Sequence, residues 1–180
     1  FYTLSVQLKL DGENTTALNN VSLNSQISGD PVYSATVDKG VWTKAYSGGV
    51  TEFYIPACDT NTYNICTSRG ETGFTWSAGT DQTAAKEISY HTFSVTTNLD
   101  GTPSSKPGTV SLRNADNKTI YTFTGNGVYT EKFVDGTNCA IYVNGDNTGE
   151  TICTEDCKKV LEFVNYQVKI TDDAPWTDAE

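Results

Sequence analysis

Methionine is absent from this sequence and histidine occurs only once. A core without methionine lacks the flexible gap-filler of most interiors and must rest on aromatic and β-branched side chains, which pack well on a pleated sheet. The single imidazole, His91, is all that a Ser-His-Asp or Cys-His arrangement can be built on, and no Gly-x-Ser-x-Gly elbow accompanies it. Flanked by Tyr90 and Thr92 in a strand-like run, His91 reads as structural or simply exposed, and the sequence predicts no enzyme. One histidine, with cysteines spaced as Cys-x7-Cys and Cys-x3-Cys, also matches no zinc-ligand pattern. No metal and no cofactor is expected.

Positive charge is scarce as well. Twelve Lys and Arg stand against 22 Asp and Glu, a formal charge of −10, and such a surface repels phosphate backbones and anionic lipid heads. Nucleic acid and membrane surfaces are therefore poor partners, and no nucleic acid is expected. No apolar run approaches the roughly 18 residues that cross a bilayer. The opening Phe1-Tyr2-Thr3-Leu4-Ser5-Val6 alternates where a signal peptide would be solidly apolar, so no membrane insertion is expected. A start at Phe1 without methionine is read as the mark of a processed, secreted chain. No repeat of fixed period and no low-complexity stretch is evident. At 180 residues the length predicts one all-β domain over residues 1–170, followed by an acidic tail over 171–180.

What is present is the vocabulary of strands and turns. Tyr2, Leu4, Val6, Leu8 and Leu10 fall on one side of the first segment and Thr3, Ser5, Gln7 and Lys9 on the other, the period of a half-buried strand. The same alternation recurs at Val21/Leu23, Phe53/Ile55, Phe74/Trp76, Phe93/Val95, Val110/Leu112, Tyr121/Phe123, Ile141/Val143 and Val164/Tyr166/Val168/Ile170. Between these lie turn clusters such as Asp100-Gly101 and Asn144-Gly145. About ten short strands at regular spacing predict an antiparallel β-sandwich or a closed β-barrel, with a β-trefoil-like arrangement as the alternative. Helix signals are confined to one short stretch near 154–161, where acids precede lysines, and to Asp81–Glu87.

Five cysteines are many for a reduced cytosolic β domain of this size, and two bridges with one odd thiol are expected. Cys58 and Cys66 bracket a polar loop that a bridge would help to order. Cys139 needs either Cys153 or Cys157, with Cys157 preferred and Cys153 left free. Asn-x-Ser/Thr triplets at Asn14, Asn20 and Asn117 fall in polar, turn-like stretches and are candidate glycosylation sites. Asp11-Gly12-Glu13-Asn14 and Asn144-Gly145-Asp146-Asn147 with Glu150 carry oxygen ligands of the kind calcium takes, but not in EF-hand order, and the same residues are ordinary turn chemistry. The two acids of a glycosidase pair can lie anywhere in sequence; Glu52, Glu71, Glu87, Glu131 and Glu162 lie in or near strand-like segments, where acids on the solvent face of a sheet are commonplace. Aromatics are the one feature able to carry binding. Trp42 and Tyr46, beside the Ser47-Gly48-Gly49 turn, and Trp176 near the end are the candidate platforms for sugar rings, whereas Trp76 beside Phe74 is assigned to the core.

Several segments in order carry a likeness: Phe1-Tyr2-Thr3-Leu4-Ser5-Val6 with Leu18-Asn19-Asn20-Val21-Ser22-Leu23, Gly73-Phe74-Thr75-Trp76, Tyr121-Thr122-Phe123-Thr124-Gly125, and Ala140-Ile141-Tyr142-Val143 leading through Glu155-Asp156-Cys157 to Val164-Asn165-Tyr166-Gln167-Val168. Together they resemble the small secreted cell-wall proteins of filamentous fungi typified by the conidiation (phialide) cell-wall protein. The resemblance implies a non-enzymatic, extracellular glycoprotein whose partners are cell-wall polysaccharide or other wall or surface proteins. A carbohydrate-binding module or lectin, and a secreted pathogen effector that binds a host protein, are the alternative expectations.

Overall fold

A computed structural model describes residues 1–18, 20–34, 48–79 and 84–167, together with the backbone of 42–45. Among the described residues there is no helix; sixteen strands form three mostly antiparallel sheets, none closed into a barrel. The strands are β1 (Tyr2–Leu10), β2 (Glu13–Asn14), β3 (Ser22–Ser25), β4 (Pro31–Ser34), β5 (Trp42–Ala45), β6 (Val50–Ile55), β7 (Thr62–Thr67), β8 (Gly70–Ser77), β9 (Lys86–Leu99), β10 (Thr102–Pro103), β11 (Val110–Arg113), β12 (Thr119–Thr122), β13 (Val128–Val134), β14 (Asn138–Val143), β15 (Asp146–Cys153) and β16 (Lys158–Phe163).

The pairings reveal a duplication that the sequence reading missed. In the first copy β1 turns into β2, β3 lies between β4 and β7, β7 pairs β8, and β1 is flanked by β6 (antiparallel) and by the start of β9 (parallel). In the second copy β9 turns into β10, β11 lies between β12 and β14, β14 pairs β15, and β9 is flanked by β13 (antiparallel) and β16 (parallel). The layout is the same strand for strand, apart from β5, which extends the first copy beside β6. The 14-residue strand β9 closes one copy and opens the next. With this in view the sequence shows its trace. Ser5-Val6, Leu10-Asp11-Gly12 and Val21-Ser22-Leu23 match Ser94-Val95, Leu99-Asp100-Gly101 and Val110-Ser111-Leu112 at one constant offset. Unequal connections elsewhere, β5 among them, break that offset, which is why no fixed period was legible.

Each copy has its own core. Leu4, Val6, Leu8, Phe53, Ile88 and Tyr90 meet Leu23, Tyr33, Tyr63, Ile65 and Trp76 of the β4-β3-β7-β8 sheet in one cluster. Phe93, Val95, Tyr129 and Leu161 meet Val110, Leu112, Cys139, Ile141 and Ile152 of the β12-β11-β14-β15 sheet in the other. Along β9 the buried positions are even in the first half, Ile88 and Tyr90, and odd in the second, Phe93 and Val95. Side chains alternate across a strand and the β9–β13 register has no shift, so the two cores lie on opposite faces of β9. Neighbouring β13 obeys the same rule, with Val134 against the first cluster and Phe133 against the second.

Several expectations are corrected here. The helix near 154–161 is not formed: residues 154–157 make a turn closed by reciprocal Cys153 and Asp156 backbone hydrogen bonds of 3.2 Å, and Lys158–Phe163 is β16. Leu161 alternates inward onto β9, so pairing with β9 outweighs a weak local preference. Asp156 and Lys159, read as dipole partners, form an ion pair instead, Lys159 Nζ lying 2.5 Å from Asp156 and 3.6 Å from Glu150 on β15. In the second helix candidate, Lys86 and Glu87 start β9. The closed barrel, and with it the trefoil-like alternative, is replaced by three open sheets, and the strand count exceeds ten because short edge strands such as β2 and β10 carry no hydrophobic alternation.

Candidate functional site

The side chains of the aromatic platform lie outside the described residues. Trp42 opens β5 opposite Tyr54, but its side chain lies outside the described residues, as do Tyr46 and Trp176 altogether. Trp76 is buried at 3% exposure and stacks on Tyr63 with ring centroids 6.5 Å apart, in keeping with its core assignment.

Tyr63 leads to a polar knot that the sequence did not suggest. The hydroxyls of Tyr33 and Tyr63 both donate to Asp59 Oδ2, at 2.5 and 2.6 Å, while the backbone N–H and the side-chain amide of Asn61 donate to Oδ1, each at 2.9 Å. Burial works to raise the Asp59 pKa, but four donors outweigh it and hold the carboxyl below its ordinary value of 3.8. Burial and the same carboxylate push the Tyr63 hydroxyl above its ordinary 10.0. A carboxylate this fully engaged anchors the 56–61 loop beneath the first core and has no lone pair left over for chemistry.

The clearest convergence of charged and aromatic groups is a cleft of about 460 Å³ where the two copies meet. Arg69, at the β7–β8 hairpin of the first copy, reaches Glu131 on β13 of the second, Nη1 to Oε1 2.8 Å. Tyr121 on β12 donates its hydroxyl to the same carboxylate and stands edge-on to Phe133 at 5.9 Å. Tyr90 and Val134 complete the wall. Burial favours the neutral form of Glu131, yet the Tyr121 hydroxyl, the Lys132 amide and the Arg69 guanidinium together hold its pKa below the ordinary 4.5. A carboxylate kept ionised orients and binds; it is not the raised general acid of a glycosidase pair, whose second carboxylate is itself ionised. Of the cleft residues Glu131 and Glu71 were singled out from sequence; Arg69 gains its meaning from a contact between copies, and Tyr121 from one between separate strands of the second.

The other sequence candidates are engaged in holding strands together. Glu52 accepts from Ser5 Oγ of β1 at 3.5 Å and from Tyr54 Oη of its own strand at 2.6 Å, Glu87 pairs with Lys9 at 2.7 Å, and Glu162 accepts from Asn98 Nδ2 at 2.6 Å. Glu71 lines the junction cleft and takes a 3.2 Å hydrogen bond from Asn64 Nδ2. His91 Nε2 lies 3.3 Å from Asp135 Oδ1. In the turns weighed as calcium loops, Asp11 accepts from the Thr92 N–H and hydroxyl, and Asn144 bridges the Thr109 N–H and the Pro107 carbonyl. Both residues sit at positive φ, 51° and 53°, which Asp and Asn tolerate better than most residues in tight turns. Asn14, Asn20 and Asn117 are all exposed, Asn117 Oδ1 accepting from Arg113 and Tyr142.

All five cysteines are unpaired, so the expected Cys58–Cys66 and Cys139–Cys157 bridges are not formed. Cys58 is exposed in the turn before β7, whereas Cys66 is buried four residues, roughly 13 Å, beyond the start of that strand. Their side chains therefore do not converge. Cys139 points into the second core beside Ile141, and Cys153 alternates to the other face of its sheet, opposite Asn138. Cys157 packs against the same cluster as Cys139, so of the two possible partners it is the one on the right side. Burial pushes the Cys139 thiol up to about 11. Alkylation of the native protein, read by peptide mass, is expected to label Cys58 first and Cys139 only after denaturation. A Cys58–Cys66 bridged peptide in the unreduced digest would contradict the arrangement.

No known protein family matches the chain, and no curated protein matches it either. Among solved structures it is similar to the Bacillus anthracis TIE protein, at 12% identity and a TM-score of 0.29 over 91% of this chain and 34% of that one. It is similar to the same degree to a leucine-rich repeat protein from Bacteroides thetaiotaomicron VPI-5482, at 12% identity and a TM-score of 0.29 over 91% of this chain and 26% of that one. The chain thus spans about a third or less of either structure, and at these scores neither likeness bears on what it does.

Proposed function

We propose that this protein is a non-catalytic structural module of an extracellular surface or wall, a spacer made of two β-sandwiches in series. The observation that carries the reading is β9: one continuous strand of 14 residues closes the first copy and opens the second, so the copies are set along a common axis without a linker. In the sandwich reading each core is the filling between its two sheets. The acidic, polar exterior and the exposed Asn14, Asn20 and Asn117 suit a secreted, glycosylated chain, and the resemblance to fungal wall proteins supports a wall location.

Small-angle scattering tests the spacer. Two units of this size placed end to end, each about 30 Å across, give a maximum dimension of about 60 Å, against about 40 Å for a compact globule of the same length. A particle near the smaller figure would refute it.

A carbohydrate-binding module is the second reading, favoured by the junction cleft, where Tyr121 and Phe133 stand beside an ionised Glu131. Pulldown on chitin, glucan and mannan separates the two. The spacer reading expects no saturable binding; saturable binding abolished by Tyr121→Ala or Trp42→Ala would install the lectin in its place.

A further inference from the structure

We infer that the protein is built to carry tension along its length, through two parallel strand ladders arranged in series on one strand. Tyr90 is partnered both by Leu10 of β1 and by Val134 of β13, and Ser94, Val95 and Thr96 are partnered both by β16 and by β13. A strand has two hydrogen-bonding edges, so β13 occupies one edge of β9, and β1 and β16 follow one another along the other. The first ladder runs over the partners Val6↔Lys86 to Leu10↔Tyr90, the second over Lys158↔Ser94 to Phe163↔Leu99. Both are parallel.

That geometry decides how a pull on the two ends is felt. Force entering at the start of β1 and leaving at the end of β16 draws each parallel pair along its own axis in opposite senses. All rungs of a ladder then share the load and must fail together. In an antiparallel hairpin pulled from its open end, the rungs fail one at a time. The path from β1 to β9 to β16 therefore crosses neither hairpin turns nor the two strands β7 and β14 at the hearts of the outer sheets.

Each ladder also ends in the same pin. Asp11, just beyond β1, donates its N–H to the Tyr90 carbonyl at 2.9 Å and accepts from the Thr92 N–H at 2.8 Å and hydroxyl at 2.7 Å. Asp100 donates its N–H to the Phe163 carbonyl at 2.9 Å and accepts from the N–H and side-chain amide of Asn165, each at 3.1 Å. Both aspartates hold φ near 50°, turning the chain so that the carboxylate points back at the partner strand. Side chains add one further tie across each ladder, Lys9 to Glu87 at 2.7 Å and Asn98 to Glu162 at 2.6 Å. Hydrophobic burial alone calls for none of these ties; shear across the ladder loads every one.

The inference goes beyond the spacer reading and does not rest on it, since the ladders resist shear wherever the protein resides. Single-molecule force spectroscopy tests it in two pulling directions on the folded chain. One holds the two ends. The other holds the N-terminus and a handle on the exposed Cys58 of a Cys153→Ser, Cys157→Ser chain. Because Tyr2 partners Ile55, this second pull peels β1 from β6 rung by rung. The expected result is an end-to-end unfolding force several times the peeling force, with Asp100→Ala raising the end-to-end unfolding rate about tenfold, as loss of charge-assisted hydrogen bonds would. Equal forces in the two directions overturn the inference, whether or not Asp100→Ala folds. Unequal forces with an unchanged Asp100→Ala rate remove the pin from it. A compact particle in scattering would sink the spacer and leave this result standing.

Discussion

Gly127→Ala is expected to destabilise the second copy by about 3–5 kcal/mol, the sum of backbone strain and forced overpacking. Gly127 sits at φ +98°, a region that side-chain-bearing residues avoid, and a Cβ built there falls 2.2 Å from the backbone nitrogen of Ser104. Backbone cannot swing aside as a side chain can. The Gly127 carbonyl also accepts the Thr97 N–H at 2.8 Å, and the Ser104 N–H donates to the Thr97 carbonyl at 2.8 Å, so a shift in one bond disturbs the other. The same device recurs at Gly49, φ +83°, whose Cβ would fall 1.9 Å from the Thr15 carbonyl oxygen, while its own carbonyl accepts from Leu8 and Thr15 N–H donates to Leu8. Urea denaturation of Gly49→Ala and Gly127→Ala should show losses of similar size. A loss below about 0.5 kcal/mol at either site, the usual reach of a surface change, would show that the loop yields and that the close approach is not required.

Asp59→Ala is expected to cost about 2–4 kcal/mol at neutral pH, because two nearly buried tyrosine hydroxyls lose their common acceptor. Asp59→Asn, which keeps one acceptor oxygen, should lose less. The pH dependence supplies a signature that a packing defect would not. The Asp59 carboxyl is held below 3.8 when folded, so its contribution is complete above that value and fades as pH falls through the lower folded pKa. The Tyr63 hydroxyl is held above 10.0 when folded, so its contribution is complete below pH 10 and fades as pH rises towards the higher folded pKa. Urea midpoints measured from pH 2 to 11 should therefore fall off less steeply at both extremes in Asp59→Ala than in the unaltered protein. Parallel curves would mean that the knot holds the same proton affinity folded and unfolded.

Particular residues show how much of this was legible in advance. The alternation of Leu4, Val6 and Leu8, of Phe93 and Val95, and of Ile141 and Val143 marked strands and core correctly, because burying one face of a sheet writes a period of two into any chain that folds this way. Asp11-Gly12 and Asp100-Gly101 were legible as turns but not as pins, since their partners Thr92 and Asn165 lie far along the chain. The junction cleft was invisible for the same reason: nothing near Arg69 in sequence announces Glu131. Cysteine counting misled. Spacing along the chain cannot say that Cys58 faces out while Cys66 faces in.

The sequence by itself determined that the chain is all-β, where most of its strands and turns fall, that its interior is aromatic and aliphatic, and that its exterior is acidic. These properties follow from local preference and from which side chains leave water. Only the tertiary structure decided that β9 is shared, that the two cores occupy its opposite faces, and that the 158–163 segment is strand and not helix. Each of those depends on a partner far away in the chain, and hydrogen-bonded pairing between distant strands leaves little in local sequence to announce it.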